Sequence, residues 1–126
     1  MSLDIFQICV LVAYAIGLSV GQVLFKLASN DVVSSAAGSG ALRSTLVMVS
    51  NGYFLTGTLL YAALSATWVW ILTFVPLSRG YPFVALAFVS TGIFANRLFG
   101  EPLSPRFFVG TAVLLVGLVI LGSERG

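Results

Sequence analysis

All four prolines of the chain, Pro76, Pro82, Pro102 and Pro105, fall in the stretch from Val75 to Arg106, and they bracket the apolar run between Pro82 and Pro102. Proline lacks a backbone N–H and fixes its φ, so helices tend to start at it or stop before it. With its flanks, the bracketed run is long enough to cross the ~30 Å hydrocarbon layer of a bilayer as one helix. The stretch therefore predicts a spanning helix with specially shaped ends, and Arg79, Arg97 and Arg106 stand near those ends.

The rest of the chain agrees with that setting. A soluble domain carries about 25% charged residues, whereas here 8% are charged and 59% are hydrophobic. At ~20 residues per span, the 126 residues hold four spans with short connections. The expected fold class is an all-α integral membrane protein, with residues 1–126 forming one four-helix transmembrane domain. The net charge of +2 is small and scattered, so no nucleic-acid partner is expected and anionic membrane lipid is the better match for these cations. Histidine is absent and Cys9 is the single cysteine. An internal disulfide, a metal centre and Cys–His catalysis thus lack their usual parts, and neither a cofactor nor an enzymatic activity is expected. Cys9 reads as a small apolar core residue. The amino terminus lacks the basic region of a signal peptide, so the first span is expected to stay in the mature protein.

The first span reads from residue 5 to 27. Ala13, Gly17 and Gly21, spaced by four, make a small-residue ridge that admits a neighbouring helix. Ser19, Gln22 and Lys26 form a polar stripe on one face. Lys26 either snorkels to the headgroups from the helix end or takes part in binding. Composition shifts to Ser, Ala, Gly and Asn after Ala28, which predicts an extramembrane loop over residues 28–52. Within it, Ser44 to Ser50 is either an interfacial turn or the outer end of the next helix, with Asn51-Gly52 as a break. The second span covers residues 53–74, with Thr58, Ala62 and Ala66 as a second ridge and Trp68 and Trp70 either at the interface or facing a cavity. The third runs over 79–99 and the fourth over 105–122, where Ser104-Pro105 reads as an N-cap followed by proline at the first helical position. Gly110 and Gly117, seven apart, suit close contact with a neighbouring helix or a second subunit. Counting Lys26, Arg43, Arg97 and Arg106 on one side against Arg79 and Arg125 on the other places both termini outside the cytoplasm.

Together, the helices with their small-residue ridges, Val75-Pro76 followed by Gly80-Tyr81-Pro82, the phrase Glu101-Pro102-Leu103-Ser104-Pro105-Arg106, and the ending from Gly117 to Ser123 resemble one transporter group. It is the small multidrug resistance-like branch of the drug/metabolite transporter superfamily. Within it, Ser19-Val20-Gly21-Gln22 followed by Lys26 is similar to the first helix of the small subunits of the 4-amino-4-deoxy-L-arabinose-phosphoundecaprenol flippase. The resemblance covers nearly the whole chain outside residues 28 to 50, a segment that is longer here. It implies a carrier of an anionic polyprenyl-phosphate-linked sugar or related lipid in the bacterial inner membrane. Four helices leave little interior for a polar head, so a homodimer, or a heterodimer with a sister subunit, is expected to supply the inverted repeat that carriers use to alternate access.

Two departures bear on the substrate. Drug-exporting members carry a membrane-embedded glutamate in the first helix, and when Lys26 is aligned with the lysine that ends that helix the position is Leu18. No carboxylate lies between Asp4 and Asp31, so proton-coupled exchange of cationic drugs has no titrating group there. Arg79 stands where the flippase subunits have an apolar residue, so the headgroup can differ from aminoarabinose. The residues suited to an anionic head are Lys26, Arg79, Arg97 and Arg106, with Gln22, Tyr81, Ser90, Thr91 and Asn96 as uncharged partners. Glu101 is expected in a loop, paired with Arg97 or Arg106. Arg79 and Arg106 either anchor helix ends at the interface or assist anion binding at helix starts. Two other readings stay open: an exporter of the small multidrug resistance type using Glu101, and a non-transporting helper subunit.

Overall fold

The computed structural model describes residues 3–124, and all regular structure among them is helical. The elements are α1 (Ile5–Ala36), α2 (Ala41–Ser50), α3 (Gly52–Ile71), α4 (Leu77–Gly80), a 3-10 segment (Tyr81–Ala85), α5 (Leu86–Phe99) and α6 (Pro105–Gly122). Four stretches are long and apolar enough to cross a membrane: α1, α3, the composite Leu77–Phe99, and α6. The protein is a multi-pass, all-α membrane protein. Arg125, one of the cations in the orientation count, lies outside the described residues.

The first connection differs from its expectation. In place of a loop over 28–52, α1 runs on to Ala36 and α2 occupies residues 41–50, leaving a turn over 37–40. Gly38 (φ 75°) and Gly40 (φ 84°) make that turn possible, because the left-handed region is costly for residues with a Cβ. The Ser- and Asn-rich composition lost to packing. Ala28 and Ala36 are buried, and Asn51 Nδ2 donates to Asp31 Oδ2 at 2.9 Å, tying the extension of α1 to the start of α3. The break at Asn51 is a helix cap, for its Oδ1 accepts from the backbone of Tyr53 (2.9 Å) and Phe54 (3.2 Å), filling two of the donors that every helix start leaves open.

Helix α3 lies along α1 in an interlock of glycine and large side chains. Gly17 meets Leu64, with only 3.0 Å between a notional Cβ and Leu64 Cδ2, and Gly21 lies flat against the Tyr61 ring. In the reverse sense, Phe25 of α1 fills the space beside Gly57, at 2.9 Å. The contacting face of α3 is thus Gly57, Tyr61, Leu64 and Trp68. Thr58, Ala62 and Ala66, expected as its ridge, are exposed, as is Ala13. The glycine ridge of α1 takes up large residues, so a second ridge opposite it would leave a void. At the far end, Gln7 Nε2 donates to the carbonyl of Phe74 at 2.9 Å. There Leu11, Ile71 and Val75 form the fully buried core under Tyr14, Trp68, Phe74 and Phe83. Trp68 stacks on Tyr14 at 5.1 Å, whereas Trp70 packs edge-on against Phe74 at 4.8 Å and is half exposed. Cys9 is exposed rather than in the core, because two residues before Leu11 on a helix is the opposite face.

The third span is not one continuous α-helix. Pro82 falls inside the 3-10 segment that separates α4 from α5, as expected where a missing N–H removes an i→i−4 bond. The fourth span keeps its expected bounds, with Pro105 in its first turn and Ser104 before it. Helix α6 packs on the 3-10 segment and seats the Phe107 ring on Gly92, whereas Gly110 and Gly117 have open space beside them and Val109, Val113, Val116 and Val119 are exposed.

A difference between the two glycine pairs follows. A Gly21→Leu side chain has to displace Tyr61, so thermal unfolding in detergent is expected to show a loss of about 1–3 kcal/mol, the usual range for overpacking. Gly117→Leu meets nothing within the chain and is expected to shift monomer stability by less than ~0.5 kcal/mol. Equal melting of both variants would contradict this packing.

Candidate functional site

Helices α1, α3 and α5 line an open groove whose walls are mostly apolar, with a few polar groups among them. Its larger part, about 450 Å³, is lined by Leu18, Gln22, Tyr61, Val84, Ala87, Phe88 and Thr91. A smaller continuation of about 170 Å³ shares Gln22 and Thr91 and runs past Val23, Ala95 and Phe99 to Lys26 and Glu101. Gln22 and Lys26 of the polar stripe therefore face one track.

Beside Thr91 of the groove lining, a knot of three hydroxyls joins α1 to α5. Ser19 is fully buried; its hydroxyl is paired with that of Ser90 and accepts from Thr91 Oγ1 at 3.0 Å. Carbonyl oxygens of Ala87 (3.2 Å) and Ala15 (3.3 Å) lie within reach of the same Oγ, and Ser90 donates to Leu86 O at 3.1 Å. A buried hydroxyl without partners costs about 1–3 kcal/mol, so pairing with the half-buried Ser90 and Thr91 is what allows Ser19 at mid-span. They also fix the register of α1 against α5.

One turn further along, Gln22 Nε2 donates to Tyr61 Oη at 2.6 Å, and that hydroxyl donates to the Leu18 carbonyl at 3.3 Å. The Tyr61 ring reaches across α1 because Gly21 leaves the space for it, and its outer face stacks on Phe25 at 5.2 Å. Tyr61 was not among the residues singled out from sequence. Its position at the middle of a spanning helix was the available signal, since a Tyr hydroxyl far from the interface needs a partner.

At the groove's end, Lys26 Nζ lies 3.9 Å from Glu101 Oε1, with both side chains about half exposed. Glu101 is in a loop, as expected, but the partner is Lys26 rather than Arg97 or Arg106. Gly100, at φ 67°, ends α5 in a left-handed cap, and Asn96 Nδ2 donates to the Glu101 carbonyl at 2.7 Å. This turn carries Glu101 back over α1. An ion pair this open is worth roughly 0–1 kcal/mol, so an arriving anion can take Lys26 from Glu101 at little cost.

Of the residues read from sequence as binding candidates, Gln22, Lys26, Thr91 and Glu101 come together in the groove. Arg79 and Tyr81 lie at the opposite end of the third span, where Tyr81 is exposed and edge-on to Trp68 at 6.4 Å. Arg79 stands in the single turn of α4, at the start of the composite span Leu77–Phe99. Arg97 and Arg106 are exposed near the Glu101 end, Arg106 in the first turn of α6. Among the described residues no group of His, Cys, Asp and Glu could hold a metal ion.

No family model matches the chain, and no solved structure matches it. Curated relatives do. The chain is 43% identical over 56 residues to the probable 4-amino-4-deoxy-L-arabinose-phosphoundecaprenol flippase subunit ArnE of Escherichia coli O139:H28. The same values hold for the proteins of that name from Escherichia coli K12 strain DH10B and Shigella boydii serotype 18. The match takes in 44% of this chain and spans half the length of those relatives, a shorter reach than the near-complete resemblance read from the motifs. Over that portion the chain is similar to a flippase small subunit.

Proposed function

We propose that the chain is a small subunit of a carrier that moves an anionic polyprenyl-phosphate-linked sugar, or a related lipid, across the bacterial inner membrane. The observation that carries this reading is the make-up of the groove. Apolar walls lead to uncharged donors and acceptors at Gln22, Tyr61 and Thr91, and a loosely held cation, Lys26, closes the end. Such an amphiphile leaves its tail in the bilayer, and only its head has to cross. Hydroxyl and amide groups suit the sugar, and the ammonium of Lys26 suits the phosphate. The likeness to subunits named as flippase components points the same way.

The groove also speaks against drug–proton exchange. Leu18 lines it where an exporter needs a titrating carboxylate, and Glu101, the acid nearest to it, is at the half-exposed rim. Four helices enclose little polar space, and carriers commonly alternate access through inverted repeats. We therefore place this chain in a dimer, with itself or with a sister subunit, in which the open face of α6 around Gly110 and Gly117 forms the contact.

Two measurements test this reading. In proteoliposomes, flipping of a fluorescent undecaprenyl-phosphate sugar should weaken in Lys26→Gln by about tenfold or more in apparent KM, the expected effect of losing a hydrogen bond to a charged group (~1.5–3 kcal/mol). Unchanged transport in Lys26→Gln and in Gln22→Ala, or wild-type proton release driven by quaternary ammonium compounds, would overturn it. For the dimer, Gly117→Leu should abolish cross-linking between copies or to the sister subunit while the chain still folds; persistent pairing with full transport would remove α6 from the contact.

A further inference from the structure

Helix α2 carries apolar side chains on two opposite faces. Val47 and Met48 are half-buried, and Met48 lines a cavity of about 360 Å³ with Val32 and Val33 of α1 and Phe54 of α3. Leu42, Leu46 and Val49 recur at i, i+4 and i+7, so they form one stripe, and it points directly away from α1. They are 77%, 57% and 44% exposed. A ten-residue helix showing three large aliphatic side chains in this way is half of a contact whose other half is missing.

The tether identifies the other half. Helix α3 has 20 residues, about 30 Å at 1.5 Å per residue, which equals the hydrocarbon thickness. Its cap, Asn51, therefore stands at a membrane boundary, and Asn51 is also the residue on which α2 ends. Whatever direction α2 takes, Val49 and Leu46 stay within about 3 to 8 Å of that boundary, inside the layer of lipid headgroups. The polar residues of α2 suit a place poor in water, since Ser44, Thr45 and Ser50 each donate to the carbonyl four residues earlier, at 2.9, 2.8 and 2.7 Å. Arg43, exposed beside the stripe, adds a cation for lipid phosphate.

We infer that α2 is an interfacial anchor, with the Leu42–Leu46–Val49 stripe set into the bilayer surface and Arg43 on the phosphates. This surface is separate from the transport groove and does not depend on which lipid, if any, the chain carries. The anchor holds the extension of α1 through Met48 and, through Asn51 and Asp31, the shared end of α1 and α3. It thereby fixes one end of the helix pair that forms the groove.

Single cysteines at Leu46 and Val49, in a Cys9→Ala chain reconstituted in vesicles of phosphatidylcholine and phosphatidylglycerol, carry an environment-sensitive fluorophore. Brominated lipid is expected to quench both labels nearly as strongly as a label at Leu59, which is exposed on α3, while a label at Ser39 in the turn is quenched by aqueous iodide instead. Iodide quenching at Leu46 and Val49, or shielding from both quenchers as under a second copy or another protein, would overturn the anchor. The unmodified protein gives an independent reading. A lipid-soluble carbene precursor should label the segment from 41 to 50, and water-borne hydroxyl radicals should spare Leu46 and Val49; the reverse pattern rejects the proposal.

Discussion

The close approach of α1 and α3 at Gly21 is the contact on which the rest of the molecule depends. In a bilayer there is no hydrophobic effect to press helices together, so they associate where small residues let side chains and backbones fit closely. Gly21 gives up its side chain and Tyr61 occupies the space. That single fit brings a phenol to the Gln22 amide and the Leu18 carbonyl, and it brings α3 near enough to wall one side of the groove. Packing and the chemistry of the site are the same event here.

The second wall depends on polar pairing. Hydrogen bonds between spanning helices average only about 0.6 kcal/mol where measured, so the knot of Ser19, Ser90 and Thr91 is better understood as a register pin than as a source of large stability. Sliding α5 along α1 would leave hydroxyls unpartnered in a medium with no water to replace them. The pin also sets where the composite third span ends, and so where Glu101 meets Lys26. A weak ion pair at the end of a groove is suited to exchange, because the groups are placed but not locked.

Much of the surface of this chain is apolar, and in water that would be a defect. In a bilayer it divides the work: the exposed valines of α6 await lipid or a partner, while the stripe of α2 meets the interface. The same solvent explains why so few residues are fully buried and why the large apolar ones among them, Leu11, Ile71 and Val75, sit where three segments converge.

By itself the sequence determined the solvent, the number of spans and most of their ends, since length, apolar content and proline placement act locally and leave few alternatives. The bounds of α6 and the polar stripe of Ser19, Gln22 and Lys26 were legible for that reason. Tertiary structure alone decided which face of α3 meets α1, because small residues mark Thr58, Ala62 and Ala66 as well as Gly57, and the sizes of the opposing side chains choose between them. It also decided that α1 continues to Ala36, where the Asn51–Asp31 bond and α2 outweigh a loop-like composition. Finally, it gave Glu101 to Lys26 rather than to its near neighbours Arg97 and Arg106. An ion pair is set by where the backbone turns, and the left-handed cap at Gly100 turns it towards α1.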